Sequence, residues 1–266
     1  MDLVYLGTPE VATRPLRALV EAGHRIPLVI TGPPRRRGRG STTSPSPVES
    51  VAHELGLTVA HEIEALDSVA VELGVVVAFG RIIPAEVLGR LRMVNLHFSD
   101  LPRWRGAAPV ERAILAGDHS TAVCLMELDE GLDTGPVHAR ARVDIGDLTA
   151  NGLRDLLAEA GSGLLVDRLA SGLGTPEAQS GEVSYAEKIT RDDLRIDWSA
   201  DPVAGLRQIR VGGAWTTWRG AVVKVVEADI VDGSLRPIIV RPEGRSDTEF
   251  DAWWRGARPE PSEWFE

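Results

Sequence analysis

The stretch GVVVAFGRIIPAEVLGRLRMVNLH, residues 74–97, contains two apolar runs of strand length. The first run, residues 74–79, is apolar without alternation, which is typical of a central strand that is buried on both faces of a sheet. The second run, residues 92–97, ends in the letters Met-Val-Asn-Leu-His. A sheet that is covered on both faces needs helices on each side, so this stretch favours an α/β fold.

The segments on either side alternate in the same way. Further strands are predicted at residues 3–6, 26–30, 121–128 and 137–143, and helices at residues 10–22, 47–55, 108–116 and 150–173. Strands that alternate with helices form a mostly parallel sheet. The turn Gly7-Thr8-Pro9 follows the first strand but lacks the G-x-G-x-x-G pattern, so it is only a weak indication of a dinucleotide site.

The last third of the chain has a different pattern. Residues 174–185 are rich in Gly, Pro, Ser and Glu, which is typical of a linker. A short helix at residues 203–209 and β-like segments at residues 214–218, 221–230 and 236–240 follow. All tryptophans except Trp104 lie from Trp198 onward, and we expect them to fill the core of a small β-domain.

The composition limits the functional classes. With 266 residues, 43% of them hydrophobic and 26% charged, the chain has globular statistics. No apolar run approaches the roughly 20 residues of a membrane-spanning helix, and the first residues lack a secretory pattern, so we expect a cytoplasmic protein. The net charge of −10 argues against general nucleic-acid binding, because phosphate contacts need a basic surface; any RNA contact must be local. The only cysteine, Cys124, is expected to be a buried hydrophobic residue rather than a nucleophile.

Asn95 and His97 are the first candidate functional residues. They lie two positions apart near the end of a predicted strand, so their side chains share one face of it. Polar side chains in an apolar strand cost free energy unless they are hydrogen-bonded, and open α/β sheets bind ligands at the carboxyl ends of their strands. The pair alone is equally compatible with a buried, satisfied histidine. The other five histidines are expected to lie at the surface.

A short acidic loop provides the third candidate. Residues 129–135, DEGLDTG, lie between two predicted strands, and Asp129 and Glu130 fit a solvated hairpin. Asp133 follows Leu132 and precedes a Thr-Gly turn that could direct its carboxylate inward. A carboxylate beside His97 would orient the ring and stabilise its charged form, as a proton-transferring imidazole requires.

Several separated stretches carry a family resemblance. NLHFSDLPRWRGAAPVERAILAGD at residues 95–118 and MELDEGLDTG at residues 126–135 resemble the signature of the formyltransferases that use 10-formyltetrahydrofolate. LVYLGTPE, VVVAFGRIIPAEVL and YAEKITRDDLRIDWS are similar to the same family and occur in the same order. The resemblance covers most of the chain, and several separated motifs in one order do not match by chance.

The resemblance implies a domain plan. A Rossmann-like α/β formyltransferase domain with a mostly parallel sheet is expected over residues 1–180. A linker is expected over residues 181–200, and a small β-barrel-like (OB-type) domain over residues 201–266. A monomer without membrane contact is expected.

The resemblance also implies a catalytic trio, which falls on Asn95, His97 and Asp133. Attack of an amine on the formyl carbon develops negative charge on oxygen and positive charge on nitrogen, so the site needs a hydrogen-bond donor and a base. Asn95 can donate to the oxygen, His97 can stabilise or protonate it, and Asp133 can hold His97 and accept the ammonium proton. No metal is required.

The family's 10-formyltetrahydrofolate is expected to lie beside this trio. The residues assigned to it are Ser99, Asp100, Leu101 and Pro102 of one loop and Phe79, Gly80, Ile82 and Ile83 of an apolar wall. Asp100 departs from the leucine expected in that loop. Its carboxylate is predicted either to face solvent or to alter the contact with the folate.

The acceptor of the formyl group is assigned from a basic loop. Arg35, Arg36, Arg37 and Arg39 occupy a Gly/Pro/Ser-rich segment, where the resemblance implies contact with the acceptor end of methionyl initiator tRNA. A solvated flexible loop is the simpler interpretation, and the tail from Arg191 onward has more acidic than basic side chains. Two alternatives stay open: formylation of an amino-sugar nucleotide or another small amine by the same trio, and a folate- or nucleotide-binding regulatory protein.

Overall fold

The computed structural model describes residues 1–36 and 43–266. The chain divides into two compact units, one formed by residues 1–109, 120–144 and 154–186, and the other by residues 110–119, 145–153 and 187–266. The domain boundaries at residues 180 and 200 remain a prediction. Arg37 and Arg39 of the basic loop lie outside the described residues.

The helices and strands up to residue 186 largely follow the predicted alternation. In chain order they are β1 (Asp2–Gly7), α1 (Thr13–Glu21), β2 (Arg25–Ile30), β3 (Arg35–Arg36), β4 (Thr43–Ser44), α2 (Pro47–Glu54), β5 (Val59–Ala60), β6 (Leu73–Val77), α3 (Ala85–Arg90), β7 (Met93–His97), β8 (Arg105–Gly106), α4 (Pro109–Ala116), β9 (Ser120–Glu127), β10 (Val137–Asp144), α5 (Ala150–Ser171) and β11 (Tyr185–Ala186).

Seven of these strands form the central sheet of the first unit, in the order β10-β9-β7-β6-β1-β2-β5. The strands from β7 to β5 pair in parallel, and β9 pairs antiparallel with both β7 and β10. Strands β1 and β6 are buried along almost their whole length, as expected for a sheet covered on both faces. The predicted α/β class with a mostly parallel sheet is confirmed.

The turn after β1 lies where the strand order reverses, between β1 and β6. Thr8 Oγ1 donates a hydrogen bond to the carbonyl of Phe79 at 3.2 Å and accepts one from the amide of Gly32 at 3.2 Å. A Cβ at Gly7 would lie 2.9 Å from the carbonyl oxygen of Val77, so only glycine allows this close approach. Gly7 and Thr8 therefore join the loops that follow three parallel strands.

The second unit contains a separate antiparallel sheet, as predicted. Its elements after residue 186 are α6 (Pro202–Val211), β12 (Trp215–Trp218), β13 (Ala221–Val231), β14 (Ser234–Pro242), β15 (Thr248–Glu249) and α7 (Phe250–Ala257). The four strands pair in sequence order. Trp218, Phe250 and Phe265 are buried at its centre, and Trp198, Trp253 and Trp254 pack against them, so these tryptophans are structural.

Some elements were not predicted from the sequence. Helices α3 and α7 and the short pairs β3–β4 and β8–β11 were not among the predicted elements. The pairing of β8 with β11 joins residues that are far apart in the chain, which local patterns do not report. Within the described residues, no helix is both long and apolar enough to cross a membrane.

Cys124 is expected to be unreactive in the folded protein. It is fully buried in β9, and burial raises the pKa of its thiol to about 11. Only the thiolate is strongly nucleophilic, so iodoacetamide at neutral pH should label the native chain far more slowly than the chain in denaturant. Mass spectrometry of the two labelled samples measures this difference, and equal labelling rates would contradict the burial of this side chain.

Candidate active site

Strand β7 positions Asn95 and His97 in the middle of the sheet. Asn95 pairs with Val76 of the parallel neighbour β6 and with Met126 of β9, and His97 pairs with Cys124. The two residues are the third and the last of the strand, so alternation puts both side chains on one face near its carboxyl end. This is the edge at which open α/β sheets bind their ligands.

The ring of His97 is held by a main-chain carbonyl. Its Nε2 lies 2.9 Å from the carbonyl oxygen of Trp104, and the residue is only 6% exposed. A carbonyl can only accept, so Nε2 carries the proton in this hydrogen bond. Nδ1 is therefore the nitrogen that is available for proton exchange.

Asp133 faces that free nitrogen. Its Oδ2 lies 3.6 Å from Nδ1 of His97 and accepts a hydrogen bond from the amide of Gly106 at 2.8 Å. A separation of 3.6 Å is longer than a hydrogen bond, so the carboxylate acts on the ring through its charge. The carbonyl of Trp104, rather than Asp133, orients the imidazole, which differs from the arrangement expected from the sequence.

Asn95 offers a free amide. The residue is partly buried, and among the described residues its side chain has no hydrogen-bond partner. A partly buried amide on the same strand face as His97 can donate to an oxygen of a bound ligand. The structure thus brings His97 and Asp133 together and places Asn95 two residues before His97 on the same strand face, with no hydrogen bond to its amide from the part of the chain that the structure describes.

Trp104 and Gly106 were missed as functional residues because they contribute main-chain atoms. Trp104 adopts a left-handed backbone conformation with φ of 61°, and Gly106 has a φ of 117°. The sequence letters Arg-Trp-Arg-Gly mark the segment, but no side-chain pattern shows which carbonyl or amide will point at a neighbour. The glycine gives the only sequence signal, because its φ suits a residue without a Cβ.

The loop after β7 is internally bonded. Ser99 is buried, and its Oγ donates to the carbonyl of Arg103 at 2.6 Å. Leu101 is fully buried against Cys124, Met126 and Val137. Pro102 is also buried and follows a cis peptide bond. Ser99, Leu101 and Pro102 therefore stabilise the conformation of the loop. Their contact with the folate remains a prediction.

Asp100 has a specific role in the structure. Its carboxylate accepts from Arg140 at 2.7 Å and lies 3.2 Å from a guanidinium nitrogen of Arg142. Arg140 also donates to the carbonyl of Leu101 at 3.2 Å. The aspartate that departs from the family pattern thus fastens its loop to β10 instead of pointing freely into solvent.

The apolar wall follows β6, the parallel neighbour of β7. Phe79 is buried beside Ile83, whereas Ile82 is 94% exposed and Gly80 has a φ of 73°. The carboxyl ends of parallel neighbours lie at the same edge of a sheet, so this wall and the loop at residues 98–102 border the same region as His97. An exposed isoleucine at that edge suits contact with a flat aromatic ligand.

Arg35 and Arg36 are exposed on the short strand β3, opposite Ser44 and Thr43. Neither belongs to an ion pair among the described residues. Their charges are therefore not neutralised by the part of the chain that the structure describes.

His138 is not at the surface, so that prediction was wrong. Its side chain is buried, with Nε2 2.7 Å from Glu127 Oε1 and Nδ1 3.0 Å from the carbonyl of Leu173. Burial raises the pKa of Glu127, but hydrogen bonds from Arg92 and His138 outweigh it and lower the pKa overall. The alternating polar letters of β10 did not reveal this buried histidine or its partly buried partner.

Within residues 1–36 and 43–266, no three His, Cys, Asp or Glu side chains are placed to hold an ion.

The comparison with known proteins gives a consistent result. A family model described as formyl transferase matches residues 1–169. A methionyl-tRNA formyltransferase from Phenylobacterium zucineum is 41% identical, over 96% of this chain and 97% of its own. The solved methionyl-tRNA formyltransferase from Clostridium thermocellum superposes with a TM-score of 0.67 at 16% identity, over 91% of this chain and 98% of its own. HypX from Aquifex aeolicus, solved in complex with tetrahydrofolic acid, gives a TM-score of 0.68 at 17% identity, over 94% of this chain and 46% of its own.

The family match covers more than half of the chain, and the relative from Phenylobacterium is similar along nearly its whole length. The chain therefore belongs to the formyl transferase family.

Proposed function

We propose that this enzyme transfers the formyl group of 10-formyltetrahydrofolate to the free amino group of methionyl initiator tRNA. The observation that carries this proposal is the 41% identity to a methionyl-tRNA formyltransferase over 96% of this chain. That similarity extends beyond residue 169, where the match to the formyl transferase model ends, and so includes the second unit.

The site geometry suits this reaction. The amine nitrogen attacks the formyl carbon, a new carbon–nitrogen bond forms, and the carbonyl oxygen becomes negatively charged. The amide of Asn95 is the donor for that oxygen. Nδ1 of His97 accepts the proton from the positively charged nitrogen, and the carboxylate of Asp133 at 3.6 Å stabilises the resulting imidazolium.

The second half of the reaction regenerates the site. The bond between the formyl carbon and N10 of the folate breaks, and His97 returns its proton to the departing nitrogen. Tetrahydrofolate and the formylated amine are the products. The burial of His97 keeps bulk water from competing for these protons.

The folate is proposed to lie at the carboxyl ends of β6 and β7. Phe79, Gly80, Ile82 and Ile83 would form one wall, and the loop from Ser99 to Pro102 the other. Asp100 would act indirectly, since its carboxylate is held by Arg140 and Arg142. We further propose that the enzyme acts as a monomer in the cytoplasm, where initiator tRNA is charged and used.

The acceptor is tested by direct assay. Purified protein and 10-formyltetrahydrofolate are incubated with methionyl initiator tRNA and, in parallel, with a panel of amino-sugar nucleotides. We expect formylmethionyl-tRNA as the main product. Efficient formylation of a sugar amine with no reaction on the charged tRNA would replace this proposal by the small-amine alternative.

Replacement of Arg35, Arg36, Arg37 and Arg39 by alanine is expected to weaken the binding of initiator tRNA and leave folate binding unchanged. The side chains of Arg35 and Arg36 are exposed, and charge is what they offer to a phosphate-bearing partner. Each lost phosphate contact should reduce the slope of log affinity against log salt by roughly 0.7 to 0.9. Titrations of tRNA at several salt concentrations measure both effects.

A control variant removes the same number of charges from exposed arginines that are already paired with carboxylates. Its four substitutions are Arg14→Ala, Arg17→Ala, Arg25→Ala and Arg90→Ala. We expect a smaller change in the salt slope for this control. Equal slopes for the two fourfold variants would remove the basic loop from the tRNA interface.

A further inference from the structure

Residues 174–186, which we call the strap, are bonded along the first unit although their composition is that of a linker. Glu177 exchanges two main-chain hydrogen bonds with Val137, at 2.8 and 2.9 Å. At the other end of the strap, β11 pairs in parallel with β8. The strap therefore passes beside the main-chain segments on either side of His97 and Asp133, which we call the catalytic pair.

Gln179 is the strap residue that reaches the acidic loop. Its Nε2 donates to the carbonyl of Asp133 and to the carbonyl of Gly135, both at 2.8 Å. Its Oε1 accepts from Nε and Nη2 of Arg105, at 3.1 and 2.7 Å. Every donor and the acceptor of this amide are thus in use.

The Asp133 backbone adopts a less common conformation. Its φ of 51° lies in the left-handed region, which aspartate adopts more readily than most residues with a Cβ and which hydrogen bonds from neighbours stabilise further. The same residue directs its carboxylate to the amide of Gly106 and toward His97. Gln179 therefore donates a hydrogen bond to the backbone of Asp133, whose carboxylate faces the imidazole of His97.

The strap also supports the partner of His97. Ser184 Oγ accepts a hydrogen bond from the main-chain amide of Trp104 at 3.0 Å. The carbonyl of the same residue orients the ring of His97. One short segment thus contacts the main chain on both sides of the catalytic pair. Through their side chains, Gln179 makes two of these contacts and Ser184 makes one.

We infer that Gln179 is a positioning residue for formyl transfer, which fixes the carboxylate of Asp133 opposite Nδ1 of His97. This inference rests on the proposed function, since it concerns the same reaction. Gln179 does not touch the reacting atoms in this arrangement. Its effect on turnover passes through Asp133.

The substitution Gln179→Glu separates positioning from packing. Glutamate has nearly the same shape and can still accept from Arg105, but it cannot donate to the two carbonyls. We expect kcat to fall by about 10²-fold, since an ångström-scale misplacement of a catalytic group has an effect of that size. The KM values for folate and tRNA should stay within about threefold, because Gln179 binds neither.

Gln208→Ala is a control for the loss of an amide that bridges two main-chain carbonyls. Gln208 lies in the second unit, and its Nε2 also donates to two carbonyls, those of Asp193 and Arg195, both at 2.9 Å. Loss of this bridge should lower stability without the same loss of kcat. Thermal melts of both variants show whether any loss of activity follows from unfolding.

A double-mutant cycle gives the decisive measurement. If Gln179 acts through Asp133, then Gln179→Glu should cost little further activity once Asp133→Asn is present. Additive losses in the double variant, or wild-type kcat in Gln179→Glu alone, would overturn the inference.

A measurement that needs no activity keeps this inference separate from the proposed function. Hydrogen exchange of the peptide that spans residues 129–135 should become faster in Gln179→Glu and remain unchanged in Gln208→Ala. Unchanged exchange in both variants would overturn the inference. Wild-type protein that fails to formylate initiator tRNA, with faster exchange in Gln179→Glu, would overturn the proposed function and leave the positioning contact in place.

Discussion

Replacement of His97 by alanine is expected to lower kcat for formyl transfer by about 10²–10⁴-fold, the range typical of a positioned acid-base group. Nδ1 of His97 is the nitrogen left free after Nε2 has bonded to the carbonyl of Trp104, and it faces Asp133 at 3.6 Å. Steady-state rates with methionyl initiator tRNA measure the loss. A thermal melt of the same sample shows how much of the protein is folded.

His138→Ala is the control for the removal of a buried imidazole. His138 is also buried and hydrogen-bonded, but its partners are Glu127 and the carbonyl of Leu173. We expect this variant to lower Tm with a much smaller effect on turnover per folded molecule. If folded His97→Ala instead turned over at the wild-type rate, His97 would be a core residue and the proposed mechanism would be wrong.

The strands that build the site could be predicted because their signal is local. The unbroken apolar run of β6 and the Asn-x-His ending of β7 are patterns within a few residues, and burial of these strands follows from hydrophobic composition alone. The mostly parallel character of the sheet follows from the alternation of strands with helices, whereas the order of the strands was not predicted. The strand that carries Asn95 and His97, and its neighbours in the sheet, could therefore be predicted from the sequence.

The contacts that orient the side chains could not be predicted in the same way. The contacts of Trp104 and Gly106 are made by a main-chain carbonyl and a main-chain amide, groups that nearly every residue type has. Only the backbone conformation therefore decides which neighbour each group meets. Gln179 contacts a loop 46 positions earlier in the chain, from a segment whose composition is that of a linker. Asp100 likewise meets Arg140 across 40 positions.

Asp133→Asn is expected to lower kcat by about 10²-fold or more, the scale of a lost electrostatic contact to charge that develops in the transition state. Asparagine keeps the shape of the side chain and an oxygen that can accept from the amide of Gly106, which lies 2.8 Å from the carboxylate. The charge opposite Nδ1 of His97 is what disappears. The imidazolium that forms when His97 accepts the amine proton then lacks its counter-charge, so the rate falls with little change in fold.

Asp129→Asn provides a matched control in the same loop. Asp129 Oδ1 accepts from the amide of Gly131 and from the hydroxyl of Thr134, and asparagine can accept both bonds. The two variants therefore change the net charge equally and differ in whether the lost carboxylate faces His97. We expect Asp129→Asn to keep nearly the wild-type kcat. Equal rates in the two variants would mean that the charge of Asp133 contributes no more than that of any exposed carboxylate in the loop, and the proton would then have to leave the amine by a route that does not depend on this pair.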